Sequence, residues 1–311
     1  MNVLIVTNMY PTKQSVHSGI FVKDQVRQLQ KSGIQVTVLV IKQRGEPFIS
    51  YLTALRKVRR TLNASHFDIV HFHYGLTGFS AFAVTGTPVV LTLHGSDVEI
   101  GWQRLISRLA AIKADAIVVQ NEKHARLFMD KSHVIPCGID SEIFFPVPRD
   151  VAREKLGLSR EKKYILFPAN PSNSVKNFQL FSKTIDALKL LDTKVEPLVL
   201  KNIERSQVNL FYNACDCCLV TSHYESGPLV VKEALYLDIP VFSVDVGDVR
   251  SVFGRLADTY IVSNDPNIIA QKIFHQLHSE EKIEFSNLVQ HYTLDSVGNK
   301  LLDLYNHLLK K

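Results

Sequence analysis

The sequence predicts an α/β protein made of two domains, each a parallel sheet with helices on both faces. Short apolar runs of strand length alternate with amphipathic stretches of helical length along most of the chain, which is typical of doubly wound parallel sheets. A proline-rich loop segment interrupts this alternation and predicts a domain boundary near residue 148. The 311 residues are enough for two such domains, each with a core of its own.

The first half of the chain contains several predicted strands and one clearly predicted helix. The helix spans Gly19 to Lys31, where apolar side chains recur at helical spacing and Gly33 follows as a stop signal. The strands are short apolar runs of the kind that is buried on both faces of a sheet, namely Val3–Thr7, Val36–Ile41, Ile69–Phe72, Val89–Leu93 and Ala116–Val119.

The second half repeats the alternation of strands and helices. Its predicted strands are Tyr164–Phe167, Val195–Leu200, Cys217–Thr221 and Val241–Val244. Its predicted helices are Asn177–Leu191, Arg205–Asn213, one that starts at Pro228, and a final helix near Leu294–Leu309. Since ligands of parallel sheets bind beyond the carboxyl ends of the strands, the residues just after each strand are the candidates for a site.

The composition is that of a globular protein with a basic first half. Hydrophobic residues make up 46% and charged residues 21% of the chain, and no apolar run is long enough to predict a membrane span. The start, MNVLIVTNMYPT, lacks the basic head and long apolar body of a signal peptide, so we expect a cytoplasmic protein. Residues 1–150 hold 17 Lys and Arg against 11 Asp and Glu, whereas residues 151–311 hold 19 of each. The first half should therefore attract an anionic partner.

The segment HYESGPLVVKEAL, residues 223–235, carries two glutamates eight positions apart at a predicted strand-to-helix turn. Pro228 suits the first helical position because its missing N–H costs little there. The amides of Leu229 and Val230 would then point out of the helix end, where an anion such as a diphosphate binds.

The two glutamates fit the sugar parts of a nucleotide-sugar. Glu225 lies in the predicted loop and can accept hydrogen bonds from hydroxyls beside the phosphates. Glu233 lies about 7–8 Å further along the helix axis, at about 1.5 Å per residue, and can hold a second diol. A nucleotide-sugar has this order of sugar hydroxyls, diphosphate and ribose diol. The alternative is an exposed loop glutamate and an unrelated glutamate on a helix face.

The segment resembles the E-x7-E motif of the GT4 family of retaining glycosyltransferases. Further stretches resemble the same family in the same order: NMYPT with HSGIFVKDQVRQLQKSG, FDIVHFHYGLTG, PVVLTLHGSD, ADAIVVQNE, VIPCGIDSEIFFP, NACDCCLVTSHYESGPLVVKEAL and PVFSVDVGDV. The resemblance implies the GT-B fold, in which two Rossmann-like parallel-sheet domains face a central cleft. It places the acceptor domain at residues 1–148 and the nucleotide-sugar domain at residues 149–290, and it implies that a C-terminal helix in residues 291–311 crosses back to the first domain.

The resemblance also implies roles for individual residues in donor binding. Glu233 would hold the nucleotide ribose, and Glu225 would contact hydroxyls of the donor sugar. Lys176 matches the phosphate-binding lysine of the family. The remaining residues expected to bind the donor line its sugar and phosphates, and they are Gly19, Asn173, Ser226, Gly227, Pro228, Leu229 and Val230.

Two residues of the HGSD stretch are implicated in the same way. His94 would face the donor sugar from the first domain and would join Glu225 and Lys176 as a catalytic residue, while Asp97 would shape the acceptor side. The alternative for His94 is a hydrogen-bonded histidine at the end of a strand. His71 and His73 are expected to support loops rather than to bind a metal.

The expected chemistry needs no metal. A leaving diphosphate develops negative charge, which a lysine and helix-end amides can stabilise. The chain has no D-x-D triplet, so we expect no bound metal and no cofactor, with the nucleotide-sugar as co-substrate. For this family the usual proposal is attack on the same face as the leaving group, with the donor's own phosphate accepting the proton. Retaining enzymes normally use a carboxylate nucleophile, but we do not assign that role to Glu225.

One departure from the family pattern concerns an arginine that usually precedes the lysine by a few residues. Asn170 and Asn173 stand at the candidate positions, and Arg250 is a candidate substitute. Charge-assisted bonds are typically worth about 1.5–3 kcal/mol, so the loss would weaken donor binding or slow transfer. The departure motivates one alternative function, a non-catalytic partner subunit or binding module. An enzyme of related fold that acts on nucleotide-sugars without transfer, such as an epimerase, is a further alternative.

Two basic segments of the first half predict contact with an anionic membrane surface. Arg56, Lys57, Arg59 and Arg60 form a cluster, and residues 102–113 predict an amphipathic helix with a basic face. The alternative is a solvated basic face. Many relatives in the family glycosylate lipid-linked acceptors, so we expect a glycan or lipid-linked acceptor in the synthesis of a cell-surface polysaccharide. Nucleic acid is not expected as a partner, because no recognition motif accompanies the charge.

Overall fold

The computed structural model of the chain describes residues 1–12, 18–41, 51, 53–128, 131–281 and 283–310. The chain divides into two compact units, one of Met1–Gly138 with Leu294–Lys311 and one of Ile139–Thr293. Each unit contains one sheet, and the strands of both sheets pair in parallel. The predicted α/β fold with two parallel-sheet domains is confirmed.

The first unit contains a six-stranded sheet in the order β2–β1–β3–β4–β5–β6. Its strands are β1 (Asn2–Thr7), β2 (Gln35–Val40), β3 (Ile69–His73), β4 (Val89–Thr92), β5 (Ala116–Val119) and β6 (Ser132–Val134). The helices in this part of the chain are α1 (Ile20–Lys31), α2 (Ala54–Ala64), α3 (Gly75–Gly78), α4 (Ser96–Glu99), α5 (Gly101–Lys113) and α6 (Glu122–Ala125).

The second unit contains a five-stranded sheet in the order β11–β10–β9–β7–β8. Its strands are β7 (Lys163–Phe167), β8 (Val195–Val199), β9 (Cys217–Val220), β10 (Val241–Val244) and β11 (Ile261–Val262). Its helices are α7 (Arg149–Lys155), α8 (Phe178–Leu191), α9 (Arg205–Ala214), α10 (Leu229–Tyr236), α11 (Val249–Phe253), α12 (Ala257–Tyr260) and α13 (Pro266–Leu277). The strands of this sheet lie in one apolar core with the buried faces of the helices.

The last helix, α14 (Leu294–Leu309), belongs to the first unit. Alternate strand residues of the first sheet face two separate cores, and α14 and α1 cover the core that contains Val3 and Ile5. Gln28 of α1 donates a hydrogen bond to Asp295 at 2.9 Å. A Cβ on Gly298 would lie 2.6 Å from the side chain of Gln28, so the glycine lets the two helices approach closely.

Two details differ from the sequence-based expectations. The units separate between Gly138 and Ile139 rather than near residue 148, because residues 139–148 pack onto the second unit. Asn213 accepts a hydrogen bond from the N–H of Val147 at 2.8 Å, and Phe144 is buried in the second core. The prediction that the second strand is buried on both faces was wrong, because β2 is an edge strand with residues partly open to solvent.

Candidate functional site

Two loops of the second unit meet where the order of the strands reverses. β7 and β9 are neighbours although β8 lies between them in sequence, and ligands of doubly wound sheets bind beyond such a switch point. The loop after β7 leads to Lys176, and the loop after β9 contains Glu225. The N–H of His223 donates to the carbonyl of Val175 at 2.9 Å, and Thr221 Oγ1 donates to the carbonyl of Lys176 at 2.9 Å. These bonds join the two loops.

Lys176 and Glu225 form an ion pair across this junction. Lys176 Nζ lies 2.5 Å from Glu225 Oε1, and the same oxygen accepts a hydrogen bond from Ser222 Oγ at 2.8 Å. The side chains keep 25% and 16% of their surface exposed, so a ligand can reach both. The ammonium group can bind a phosphate and the carboxylate can accept hydrogen bonds from hydroxyls. The sequence predicted these two residues as parts of one site, and the structure brings them together.

The two asparagines at the positions of the missing arginine build the loop after β7. Asn173 Oδ1 accepts a hydrogen bond from the N–H of Val175 at 3.1 Å, and Asn170 Oδ1 accepts one from the N–H of Ser172 at 2.9 Å. Asx turns of this kind are a common use of asparagine in loops. A phosphate contact by Asn173 would therefore come from its Nδ2 group.

Arg250 is engaged with acidic neighbours. Its guanidinium donates two hydrogen bonds to Asp245 Oδ2, at 2.9 and 3.0 Å, and lies 3.6 Å from Asp258 Oδ1. The structure therefore gives no support to Arg250 as a substitute for the missing arginine.

The segment from Ser226 to Val230 forms a tight turn into α10. The helix begins at Leu229, one residue later than predicted, because Pro228 has an extended ψ of 105° and occupies the N-cap position. Gly247, in the loop after β10, lies behind this turn with a left-handed φ of 60°. A Cβ on Gly247 would lie 2.9 Å from the carbonyl group of Ser226, so this close approach of two loops requires a glycine.

A buried ion pair that the sequence did not predict lies beneath Gly227. Lys232 is 1% exposed, and its Nζ donates a hydrogen bond to Asp248 Oδ2 at 2.6 Å and lies 4.7 Å from the ring centre of Tyr292. A Cβ on Gly227 would lie 3.3 Å from both charged groups. Within the described ranges, Asp248 Oδ1 has no hydrogen-bond partner. The available signal was a lysine inside the apolar α10 sequence and an aspartate shortly after β10.

Glu233 lies deeper in the second unit than Glu225 does. It is 5% exposed, and its Oε2 accepts a hydrogen bond from the hydroxyl of Tyr212 at 3.2 Å. Burial, together with the Glu233 charge, raises the pKa of Tyr212, so the hydroxyl stays a donor. Tyr212 was not predicted as a site residue. Its hydrogen bond fixes the orientation of the Glu233 carboxylate.

Gly19, Asp97 and His94, the other predicted site residues, lie in the first unit. Gly19 is the N-cap of α1 with a left-handed φ of 65°, and a Cβ there would collide with the carbonyl of Met9. Asp97 is buried and accepts hydrogen bonds from the N–H groups of His94 and Gly95, at 2.9 and 2.7 Å to Oδ1. Its carboxylate therefore holds the backbone on which His94 lies. Burial raises the pKa of Asp97 to about 6.

Three histidines form two hydrogen-bonded groups along the carboxyl ends of β3 and β4. His73 Nδ1 lies 2.9 Å from His94 Nε2, while His71 bonds to the hydroxyl of Tyr305 and to Thr92 Oγ1. Within the described chain, His73 Nε2 has no partner. An orphaned buried N–H is rarer than an orphaned acceptor, so the favoured tautomer places the proton of His73 on Nδ1. His94 then accepts at Nε2 and carries its own proton on Nδ1.

Tyr74 follows β3 in an unusual backbone conformation and packs against His94. Its φ is 73° and its ψ is 141°, a combination that is rare for a residue with a side chain. The sequence gives no signal of this conformation. Its ring centre lies 4.7 Å from that of His94, and the ring of Phe21 lies 4.5 Å away on the same histidine. Strained residues of this kind cluster at functional sites. The imidazole of His94 is thus held by three neighbouring rings, since His73 also stacks on it.

The buried histidines should make the first unit sensitive to acid. Burial lowers the pKa of His71, His73 and His94, in the case of His73 to about 3, so all three are neutral when folded. A lowered folded-state pKa gives stability that is present above the unfolded value of 6.5 and is lost as the pH falls. Asp97 acts in the opposite sense, because its raised pKa gives stability as the pH falls through about 6.

We expect the free energy of unfolding to fall by about 2–3 kcal/mol per pH unit between about pH 6 and pH 4, from a net uptake of about two protons. Hydrogen–deuterium exchange of the peptide that contains β3 measures this local stability. In the variant His73→Phe, the free energy of unfolding should depend less steeply on pH, because about one proton fewer is taken up on unfolding. A slope that is unchanged by His73→Phe, or stability that rises as the pH falls, would contradict the assignment.

The described residues contain neither a cluster of metal ligands nor a membrane-spanning helix. No group of three or more His, Cys, Asp or Glu side chains is arranged to hold a metal ion in that part of the chain. Nor does any of its helices combine the length and the apolar character that crossing a membrane requires.

Family models match both units. Residues 18–143 match the model described as Glycosyltransferase Family 4, and residues 182–285 match the model described as Glycosyl transferases group 1. The first match includes Gly19, His94 and Asp97, and the second includes Glu225 and Glu233.

Relatives in sequence carry glycosyltransferase names. The Bacillus subtilis protein TuaC, whose name refers to a glycosyltransferase of teichuronic acid biosynthesis, is 24% identical, and the match covers 90% of each chain. A D-inositol 3-phosphate glycosyltransferase of Thermobispora bispora is 22% identical, over 84% of this chain and 76% of its own.

Solved structures share the fold. Sucrose-phosphate synthase from Thermosynechococcus elongatus superposes with a TM-score of 0.80 at 16% identity and covers all of both chains. The Anabaena protein HepE, in complex with UDP, superposes with a TM-score of 0.74 at 15% identity, over 99% of this chain and 100% of its own. The fold is therefore the GT-B fold.

Proposed function

The chain belongs to glycosyltransferase family 4, and from this we propose that it transfers a sugar from a nucleotide-sugar donor to a glycan or lipid-linked acceptor with retention of configuration. The transferred group is a hexosyl-type sugar, and the reaction needs no metal ion. We place the reaction in the cytoplasm and in the synthesis of a cell-surface polysaccharide. The name of the TuaC relative supports that last assignment.

The observation that carries the proposal is the ion pair of Lys176 and Glu225 at the switch point between β7 and β9. A nucleotide-sugar that binds there would separate the pair. The ammonium group would turn to the diphosphate, and the carboxylate would accept hydrogen bonds from the sugar hydroxyls. Glu233, whose Oε2 is already held by Tyr212, is proposed to take the ribose diol.

The proposed reaction proceeds on one face of the sugar. The bond from the anomeric carbon to the phosphate oxygen breaks, and the acceptor oxygen bonds to the same carbon on the same face. The proton of the acceptor hydroxyl passes to the departing phosphate. Lys176 and the N–H groups at the start of α10 stabilise the charge that the phosphate gains. Glu225 is not the nucleophile in this scheme, and its bonds to Lys176 and Ser222 are consistent with a binding role.

The first unit would contribute His94 to the donor sugar and Asp97 to the acceptor side. The Nε2 atom of His94 accepts the hydrogen bond from His73, so His94 carries its proton on Nδ1 and can donate it there. An N–H donor suits a sugar hydroxyl or a phosphate oxygen. Asp97 acts through the backbone that it holds.

The alternative function is a non-catalytic partner subunit or binding module. The asparagines at the arginine position motivate it, because a phosphate-facing charge is missing there. Retained Lys176, Glu225 and Glu233 oppose it, since a scaffold has no need of an ion pair that a ligand can reach.

A panel of UDP-, GDP-, ADP- and dTDP-sugars tests the proposal, with release of the nucleotide as the readout. We expect slow release from one donor, unchanged by EDTA and lowered at least tenfold in Glu225→Gln, because the variant loses the charge that orders Lys176 and the sugar hydroxyls. Asp245→Gln is the matched control, since it removes an exposed carboxylate of the same unit. Nuclear magnetic resonance of the product then gives its anomeric configuration.

Release that is equal in Glu225→Gln and the wild type would contradict the assigned site. Binding of a nucleotide-sugar with no release, in the presence of any acceptor fraction, would favour the non-catalytic alternative. A new sugar formed without an acceptor would favour an epimerase.

A further inference from the structure

Helix α5 presents four of its five large apolar side chains to solvent and small side chains to the core. Trp102, Leu105, Leu109 and Ile112 recur at a helical repeat that places them in one stripe, and they are 43–68% exposed. The buried side of the helix is lined by small side chains, those of Ser107 and Ala110. A helix on the surface of a globular protein normally has the reverse arrangement, so this stripe indicates a surface that something covers.

The apolar surface extends onto a neighbouring turn. Residues Phe79–Ala83 form a short 3-10 turn that packs against both α5 and α2. Phe79 and Phe82 of this turn are 44% and 43% exposed, and their ring centres lie 5.5 Å apart. Six of the thirteen large hydrophobic side chains that are exposed in the described chain therefore lie on α5 and this turn.

Basic side chains surround the apolar ones. The exposed basic residues of α2 are Arg56, Lys57, Arg59 and Arg60, and α5 adds the exposed Arg108 and Lys113 and the half-buried Arg104. Neither helix contains an aspartate or a glutamate. Across the described ranges, no ion pair neutralises any of these seven residues.

We propose that the surface formed by α2, the Phe79–Ala83 turn and α5 docks onto an anionic lipid bilayer. Helices that lie in a membrane interface combine a tryptophan-containing apolar face with Lys and Arg, and each basic residue near an anionic surface adds about fivefold to binding. A second copy of the chain fits poorly, because it would bring two strongly basic surfaces together. Nucleic acid fits poorly as well, because it would leave the aliphatic stripe uncovered.

The docking surface lies on the back of the loop that carries His94 and Asp97. Ser107, on the inner side of α5, donates a hydrogen bond to the carbonyl of Asp97 at 2.7 Å, and α4 packs against α5. A bilayer on the outer side of α5 would lie about one helix diameter, or roughly 10 Å, from that loop. On the premise of the proposed function, the acceptor is therefore a membrane-anchored, lipid-linked glycan.

Trp102 is the only tryptophan of the chain, so its fluorescence reports on this surface directly. We expect vesicles of phosphatidylcholine and phosphatidylglycerol to shift its emission to the blue and to sediment with the protein, whereas pure phosphatidylcholine vesicles bind at least tenfold more weakly. Leu105→Ser with Ile112→Ser should lower sedimentation with anionic vesicles at least tenfold. Arg59→Gln with Arg60→Gln should lower it about fivefold per charge.

Leu190→Ser in α8 is the matched control, because Leu190 is 88% exposed but lies in the other unit. It should leave vesicle binding unchanged. All of these variants should keep the wild-type rate of nucleotide release from the donor, so failure of vesicle binding and failure of the proposed reaction are separate results. Unchanged Trp102 emission with anionic vesicles would overturn the proposal. So would a concentration-dependent dimer, seen by light scattering, that Leu105→Ser with Ile112→Ser abolishes.

Discussion

Replacing Lys176 with methionine is expected to lower the rate of sugar transfer by about 10²–10³-fold, the cost of removing one preorganised donor from a developing oxyanion. Lys176 Nζ is the positive charge beside Glu225 at the carboxyl ends of β7 and β9, and no arginine stands at Asn170 or Asn173 to share its role. The effect should appear mainly in kcat, because the diphosphate gains its charge as the bond to the sugar breaks.

Two further variants separate the direct role of Lys176 from a merely structural one. Lys183→Met, on the exposed side of α8, is the matched control and should keep the wild-type rate. If Lys176 only neutralises Glu225, the double variant Lys176→Met with Glu225→Gln should recover transfer. If Lys176 contacts the phosphates, the double variant should stay at or below the rate of Lys176→Met. The assigned role would be contradicted if the double variant recovered transfer. It would also be contradicted if Lys176→Met alone kept more than about a third of the wild-type rate.

Replacing Lys232 with methionine is expected to lower the free energy of unfolding of the second unit by about 3–5 kcal/mol. The change leaves the Asp248 carboxylate buried without its partner, and Oδ1 of that residue lacks a hydrogen bond within the described structure already. Because Gly227 lies directly above the pair, the loop of the donor site should loosen as well. Denaturant unfolding of the variant, with Lys183→Met as the surface control, gives the magnitude.

Removing both charges should be milder than removing one. The double variant Lys232→Met with Asp248→Asn no longer holds a buried unpaired charge, so we expect it to regain more than half of the lost stability. Stability of Lys232→Met within about 1 kcal/mol of the wild type would show that the pair is not the support of this loop.

The sequence predicts much of the fold because the strands are apolar runs with clear ends. Ala116–Val119 and Val241–Val244 form strands at the predicted residues, since a parallel strand that is buried on both faces needs a continuous apolar run. β6 was missed, because Ser132–Val134 is short and partly polar. The domain boundary was misplaced because the proline-rich segment is held by Asn209 and Asn213, more than sixty positions away in sequence.

The candidate site was predictable where its chemistry is local to a loop. Glu225 and Lys176 each follow a strand, so the rule for parallel sheets places both at one edge before any contact is known. The pair of Lys232 and Asp248 depends on how α10 packs against the loop after β10, and a pattern of residues along one helix does not specify that packing. The backbone of Tyr74 has a left-handed φ of 73°, and no residue type in the sequence signals this.

A crystal structure with the nucleoside diphosphate of the donor that the panel identifies would show directly which groups Lys176 and Glu233 bind. We expect Lys176 Nζ to have moved away from Glu225 and to lie within about 3.2 Å of a phosphate oxygen, and a ribose hydroxyl to lie within the same distance of Glu233. A nucleotide bound elsewhere, with the ion pair of Lys176 and Glu225 still closed, would contradict it.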